Sequence, residues 1–280
     1  MVSLRSWSSA VYGADGGFAL IVVLWTLVLI AFVVAHLTAT GRTEIRLARN
    51  LVSNAVAEAA ADGAIVEAIF YLSDPDLKRR WAVDGKARDL VIGNIRLTVR
   101  LEDEAWWINP NTGPPALVEA LLSGTGGDPE SARRLAIAIS EWVGSVPVAR
   151  PQKAVVAEYR AAGLDYGPPG APLETLDELG RVLGMTPAIL TVIRPHLTLF
   201  GPPQPSAASL DPVVAAVVAQ SSQVEPVPSA DQPPPDVLTT RITAIAFGSS
   251  NARVTRSAVA RFGAALPGGY QVLARWNGVK

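Results

Sequence analysis

Residues 16–40 read GGFALIVVLWTLVLIAFVVAHLTAT, and the placement of that run decides the rest of the fold. From Phe18 to Leu37 no side chain carries a fixed charge, His36 being the one titratable group. About twenty residues rising about 1.5 Å each match the ~30 Å hydrocarbon core of a bilayer. One membrane helix is therefore expected over residues 18–40. Its Leu, Ile, Val and Phe side chains each favour insertion by about 0.3–0.6 kcal/mol, enough to outweigh Thr26 and His36. The preceding residues 1–17 are polar and end in Gly16-Gly17, so the apolar run starts without a spacer at Phe18.

A secretory signal has an apolar core of about 7–15 residues. This one is longer, so it is expected to stay on the protein. Arg5 alone precedes the run, whereas Arg42, Arg46 and Arg49 follow it with Glu44. Taken by itself, the positive-inside rule puts the N-terminus outside. A plain bitopic anchor is the simplest reading of the run alone.

The 280 residues carry a formal net charge of −1, which gives no basic excess for coating DNA. The absence of cysteine excludes disulfides and thiolate metal sites. The two histidines, His36 and His196, lie far apart in sequence. No phosphate-loop, paired metal-ligand or nucleophile-elbow pattern is present, and an enzyme is not expected.

Beyond the apolar run, Ile45, Leu47, Leu51, Val52, Ala55, Ala59, Ile65, Ile69 and Leu72 recur near the 3.6-residue period. The helix is expected to continue to about Leu72 and to end at Asp74-Pro75, where proline stops the ladder. The pattern then switches to period two. Ile95, Leu97, Val99 and Leu101 alternate with polar residues after Leu90–Ile92 and a Gly93-Asn94 turn, a β-hairpin signature.

The leader junction resembles the signal of type IV pilins and type II secretion pseudopilins: a short polar leader ending in Gly17, an aromatic Phe18, and an apolar helix running into an amphipathic one. The resemblance implies cleavage between Gly17 and Phe18 by a prepilin peptidase, and methylation of the new Phe18 amine. Most members carry Glu five residues into the mature chain; here that position is Val22. An intramembrane carboxylate is costly without a partner. Its absence matches the K-type minor pseudopilins, known for this departure and for a place at the pseudopilus tip. The stretch Leu101–Asn111, LEDEAWWINPN, also resembles the acidic strand end and Asn-rich turn of that type. An acidic loop with two tryptophans closing a core explains it equally.

Four segments with helix-spaced apolar residues follow: Pro115–Leu122, Pro129–Trp142, Ala154–Ala161 and Leu173–Gly184. A last helix, Pro187–Leu199, is expected to break near Pro195. The run Leu173–Thr186 looks like a helix-turn-helix piece of the K-type helical domain, and also like a helix-hairpin-helix. That second likeness supplies the rival function, a membrane-anchored nucleic-acid-binding protein. Pro187 removes a backbone donor there, and Glu174, Asp177 and Glu178 add negative charge. No nucleic-acid partner is expected.

Relatives of this type bind calcium near a Trp-containing helix. Here the matching stretch, Glu141–Pro147, holds one carboxylate where several oxygen ligands are needed. Calcium is thus implied by resemblance with no identifiable ligands.

Residues 201–236 are rich in Pro, Ser, Ala and Gln, which suggests a connector with at most a short helix at Leu210–Val218. Arg241–Phe247, Ala252–Phe262 and Tyr270–Trp276 then alternate as three closing strands.

The expected fold is α+β and pilin-like: a long N-terminal membrane helix packed on an antiparallel sheet, with a large all-helical domain inserted in the sheet region. The segments are a leader (1–17), transmembrane helix (18–40), periplasmic half of that helix (41–73), first part of the sheet (74–112), helical domain (113–200), Pro-rich connector (201–236) and last strands (237–280). The function this resemblance implies is a non-catalytic minor pseudopilin of type II secretion. It would stand in the inner membrane with its C-terminal domain in the periplasm. Other minor pseudopilins and the prepilin peptidase are the implied partners, and a minor type IV pilin is the nearest alternative.

Overall fold

The computed structural model describes residues 15–76, 78–145, 151–221, 237–248 and 253–278, with backbone alone for 15–17 and 37–43. Residues 1–14 of the expected leader and 222–236 of the expected connector lie outside the described residues. Two compact units are distinguished, Met1–Ala55 and Val56–Lys280.

Helix α1 runs from Asp15 to Leu72. In the first unit its side chains from Phe18 to His36 are all solvent-exposed. Phe18–His36 is, among the described residues, the one helical stretch long and apolar enough to cross a membrane. The hydroxyl of Thr26 donates to the carbonyl of Val22 at 2.7 Å, so the polar residue of the run is satisfied within its own helix, as an apolar solvent demands.

In the second unit, α1 buries Ala57, Ala60, Ala61, Ala64, Ile65, Ala68, Ile69 and Leu72. The alternating three- and one-residue steps mark a single stripe, and its alanines let the helix lie close to the sheet. That sheet has five antiparallel strands in sequence order: β1 (Ala87–Ile92), β2 (Ile95–Asp103), β3 (Leu238–Phe247), β4 (Arg253–Phe262) and β5 (Tyr270–Asn277). Strands β1 and β2 pair from Ile92↔Ile95 outward. Gly93 in their two-residue turn has φ 61°, a conformation that glycine adopts without strain. The α1 stripe packs on Ile95, Leu97, Val99 and Leu101 of β2, with Ile242, Ala244 and Ala246 of β3 and Ala258, Ala260 and Phe262 of β4 completing this core. Arg256 of β4 ties the layers at the rim by donating to Glu58 at 3.0 Å, with Asp62 at 3.7 Å.

Between β2 and β3 the chain forms α2 (Pro115–Gly124), α3 (Pro129–Val143), α4 (Gln152–Ala161), α5 (Pro187–Ile193) and α6 (Pro212–Ser221). These elements share a second core, which includes Ile108, Leu121, Leu135, Ile139, Trp142, Tyr159, Leu179 and Ile193.

Of three helical expectations, one is corrected. The short helix expected at Leu210–Val218 within 201–236 is α6, which buries Val214 and Val217 in the helical core. Asp211 makes this possible by capping α6, accepting from the backbone N–H groups of Val213 (2.9 Å) and Val214 (3.2 Å). Leu173–Gly184 is not an α-helix but a 3-10 turn, Leu176–Arg181. Its buried residues Leu173, Leu176, Leu179 and Val182 recur every three positions, the 3-10 period. The break expected near Pro195 is present: α5 stops at Ile193 and gives way to a 3-10 turn at Arg194–His196, where Pro195 withdraws a donor.

Candidate assembly surfaces

The expected cleavage position, Gly17-Phe18, falls within the first turn of α1, which begins at Asp15. Gly16 and Gly17 make that turn weak, since each glycine costs about 1 kcal/mol against alanine in a helix. The first N–H groups of a helix also lack intrahelical partners. Phe18 is 73% exposed, and Val22 stands exposed one turn on, with no carboxylate where pilins usually carry one.

Opposite the buried stripe of the second unit, α1 exposes Val56, Ala59, Val66 and Phe70, Phe70 to 63%. Three- to seven-residue steps keep them on one helix face. Phe70 sits edge-on to Tyr71, 5.5 Å between ring centroids, and Tyr71 stacks on Trp81 at 4.7 Å. A soluble helix seldom leaves such a row uncovered. Of the face predicted from sequence, Ile65, Ile69 and Leu72 are buried, whereas Ala55 and Ala59 are exposed; Val66 and Phe70 were not named in it. Their signal is that they fall off the alanine stripe.

The Leu101–Asn111 stretch forms the seam between the sheet and the helices. Glu104, closed to solvent, begins a 3-10 turn after β2. It accepts from the Arg241 guanidinium on β3 and from the Thr198 hydroxyl. Trp107 lies under that guanidinium, 4.1 Å from ring centroid to Cζ. Asn109 donates to the Gly201 carbonyl at 2.8 Å, and Asn111 exchanges two hydrogen bonds with the Leu173 backbone at 2.8 and 3.1 Å. Ile108 pairs with Leu197 as a parallel bridge. The Ser209 hydroxyl donates to the Trp106 carbonyl at 2.7 Å. Each polar residue of this stretch so described has a structural partner, as the core-closing reading expects.

Burial pushes the Glu102 carboxyl above its usual range, against the pull of Arg241 and Arg100, and burial likewise raises Asp103 despite its hydrogen bond from the Ala105 N–H. His196 pairs with Asp211 at 2.6 Å, joining the turn after α5 to the cap of α6.

The helix-hairpin-helix likeness is not matched in detail. At the start of α5 the Thr186 hydroxyl accepts from the Ile189 N–H at 3.2 Å, occupying a donor that a phosphate would need. Nearby, Arg194 is held by Asp177.

The residues present do not fit a calcium centre. Among the described residues no group of three or more His, Asp or Glu comes together. Trp142 packs instead against Tyr159 and Tyr166, and Gly170 donates to the Trp142 carbonyl at 3.1 Å. Residues 146–150 lie outside the described residues, and by sequence they add no carboxylate.

Residues 97–203, from β2 through the seam and the helices to just beyond Gly201, match the family model of protein K of the type II secretion system. No curated protein matches the chain by sequence. Among solved structures, the chain is similar to one in the crystal structure of the GspK-GspI-GspJ complex from the enterotoxigenic Escherichia coli type 2 secretion system. That match has 16% identity and a TM-score of 0.57, and it covers 85% of this chain and 100% of that one. At that identity the likeness speaks for the fold: mixed helix and antiparallel sheet behind a long N-terminal helix. Over residues 97–203 the chain is thus similar to protein K of the type II secretion system.

Proposed function

We propose that this chain is a non-catalytic tip subunit of the secretion pseudopilus, with a pilin-like sheet domain into which the helical segment is inserted. Phe18–His36 holds it in the inner membrane, and the Val56–Lys280 unit works on the periplasmic side. A prepilin peptidase cuts after Gly17 and methylates Phe18. Val22, in place of the usual carboxylate, suits a subunit with no neighbour above it to supply a pairing amine.

The observation that carries this reading is the uncovered apolar face of α1, Val56 to Phe70. Helices pack side by side through such rows, ridge into groove. The assembly partners are other minor pseudopilins, a choice supported by the likeness to GspK in its complex with GspI and GspJ. Co-purification of the full chain with its cognate minor pseudopilins tests this. Phe70→Asp is expected to abolish their recovery while the chain itself accumulates normally. Undiminished recovery with both Val66→Asp and Phe70→Asp in place sinks the proposed interface.

A further inference from the structure

Strand alternation gives the sheet a second face, turned away from α1. On β2 the core residues Ile95, Leu97, Val99 and Leu101 alternate with Arg96, Thr98, Arg100 and Glu102, which belong to that second face. The register places Val91, Arg96, Phe247 and Arg253 side by side there, in one row across β1, β2, β3 and β4. Val91 is 69% exposed and Phe247 43%, and both arginines stand exposed.

The sheet supplies these two cations with no counter-charge. Among the described residues neither Arg96 nor Arg253 takes part in a hydrogen bond or an ion pair. Their cross-strand neighbours are Val91 and Phe247, where an opposite charge would stabilise the pair. In the next row Asp89 accepts from the Thr98 hydroxyl at 2.9 Å, and further along β2 the pull of Arg100 goes to the Glu102 carboxyl. Residues 249–252, Ser-Ser-Asn-Ala, lie outside the described residues and by sequence carry no charge. Arginines left unpaired beside an exposed aromatic ring are the side chains that carry most binding energy at protein interfaces.

The spacing sets the pattern that fits. Arg96 and Arg253 stand two strands apart, about 10 Å, with Phe247 between them. On an α-helix, side chains at i and i+7 share a face about 10 Å apart, with i+3 and i+4 between them. An extended chain covers that distance in three residues, which turns the two side chains to opposite faces. We propose that this row docks an acidic amphipathic helix of a partner protein, its apolar side chains seated on Phe247 and its carboxylates held by the Arg96 and Arg253 guanidinium groups. The row lies across the sheet from α1, so the interaction stands whether or not the Val56–Phe70 face binds other pseudopilins.

Fluorescence anisotropy on the full-length chain in nanodiscs of zwitterionic lipid tests this. Three labelled synthetic helices share leucines at i+3 and i+4. The first carries Glu at i and i+7, the second carries Lys there, and the third has the composition of the first with its second Glu moved to i+5, off the leucine face. Saturable binding of the first, about tenfold tighter than of either other, is expected. Arg96→Gln with Arg253→Gln weakens it about tenfold, whereas Arg133→Gln with Arg181→Gln, the same charge change at exposed positions of the helical segment, leaves it unchanged. Arg96→Glu with Arg253→Glu transfers the preference to the lysine helix, and Phe247→Ala weakens binding with both arginines in place. Circular dichroism melts confirm that each variant folds, the replaced side chains all being exposed. No saturable binding, equal binding of the first and third helices, or an equal loss in the control pair overturns the proposal. Arginine-dependent capture by phosphatidylglycerol vesicles without the helix preference, or arginine-dependent self-association of the chain, gives the row to a lipid surface or to a second copy and overturns it as well.

Discussion

Glu104 on the turn after β2 receives two hydrogen bonds from Arg241 on β3, 2.9 Å from Nε and 3.2 Å from a terminal nitrogen, across 137 positions of sequence. The carboxylate is shut off from water and the guanidinium is 12% exposed. Removing one member strands the other charge in a dry place, at a cost of about 3–5 kcal/mol. Glu104→Ala and Arg241→Ala are each expected to lose that much in urea unfolding. The Glu104→Leu, Arg241→Met double variant should lose far less than the two single losses together. Additive losses would show that the two side chains act independently.

Gly201 is needed for closeness and not for an unusual backbone. A Cβ built there falls 2.5 Å from the Glu104 carbonyl oxygen, inside any real contact. Gly201→Ala is expected to lower stability by about 1–3 kcal/mol through overpacking at the seam. Gly124→Ala, at the end of α2 with nothing within 4 Å, is the matched control and is expected to stabilise by up to about 1 kcal/mol.

The seam also predicts a pH response. Burial raises the Glu102 carboxyl in the folded state, so folding favours its protonated form. This contribution is complete below the unfolded carboxylate range and is lost as pH rises through the folded value. Glu102→Gln removes the titration. Thermal melts should show the variant more stable than the parent at pH 7, with the difference shrinking as pH falls toward the ordinary carboxylate range. A difference constant across pH would mean that Glu102 does not titrate with folding.

At the other end, the junction gives a mass. In cells with an active prepilin peptidase, intact mass spectrometry of the membrane-extracted chain is expected to find Phe18 as the first residue, with one added methyl group. Gly17→Val puts a β-branched side chain at the cut and should leave the leader attached. An uncut parent chain in such cells would return the N-terminus to the plain anchor reading.

Much of this was legible because it is periodic. The β1–β2 hairpin and the three closing strands each advertise their partner face within a dozen residues. The seam was not legible, because Glu104, Thr198, Gly201 and Arg241 meet only once β2 and β3 pair. No local spacing encodes that meeting. The Leu173–Val182 turn was misread for a subtler reason: three-residue spacing satisfies a loose helical template, but here the backbone follows the spacing itself. Glu178 reinforces it by accepting from the backbone N–H groups of Thr175 (2.7 Å) and Glu174 (3.0 Å). Helix α6 was legible as the apolar insert Leu210–Val218, but the pairing of its cap Asp211 with His196 was not.

The pairing of β2 with β3 has a consequence for how the chain is made. Asp103 lies opposite Thr240 in the sheet, so the centre of the sheet cannot close until synthesis has passed Thr240. Joining two strands across a loop of residues 104–237 costs about 4 kcal/mol in chain entropy alone, beyond any local term. Until then α1 and the first hairpin hold half a hydrophobic core, with Ile95, Leu97, Val99 and Leu101 waiting for β3 and β4. The newborn protein therefore passes through a stage in which this open sheet edge is sticky. Early folding of the helical segment, which joins β2 to β3, would shorten that stage by drawing the two strands together.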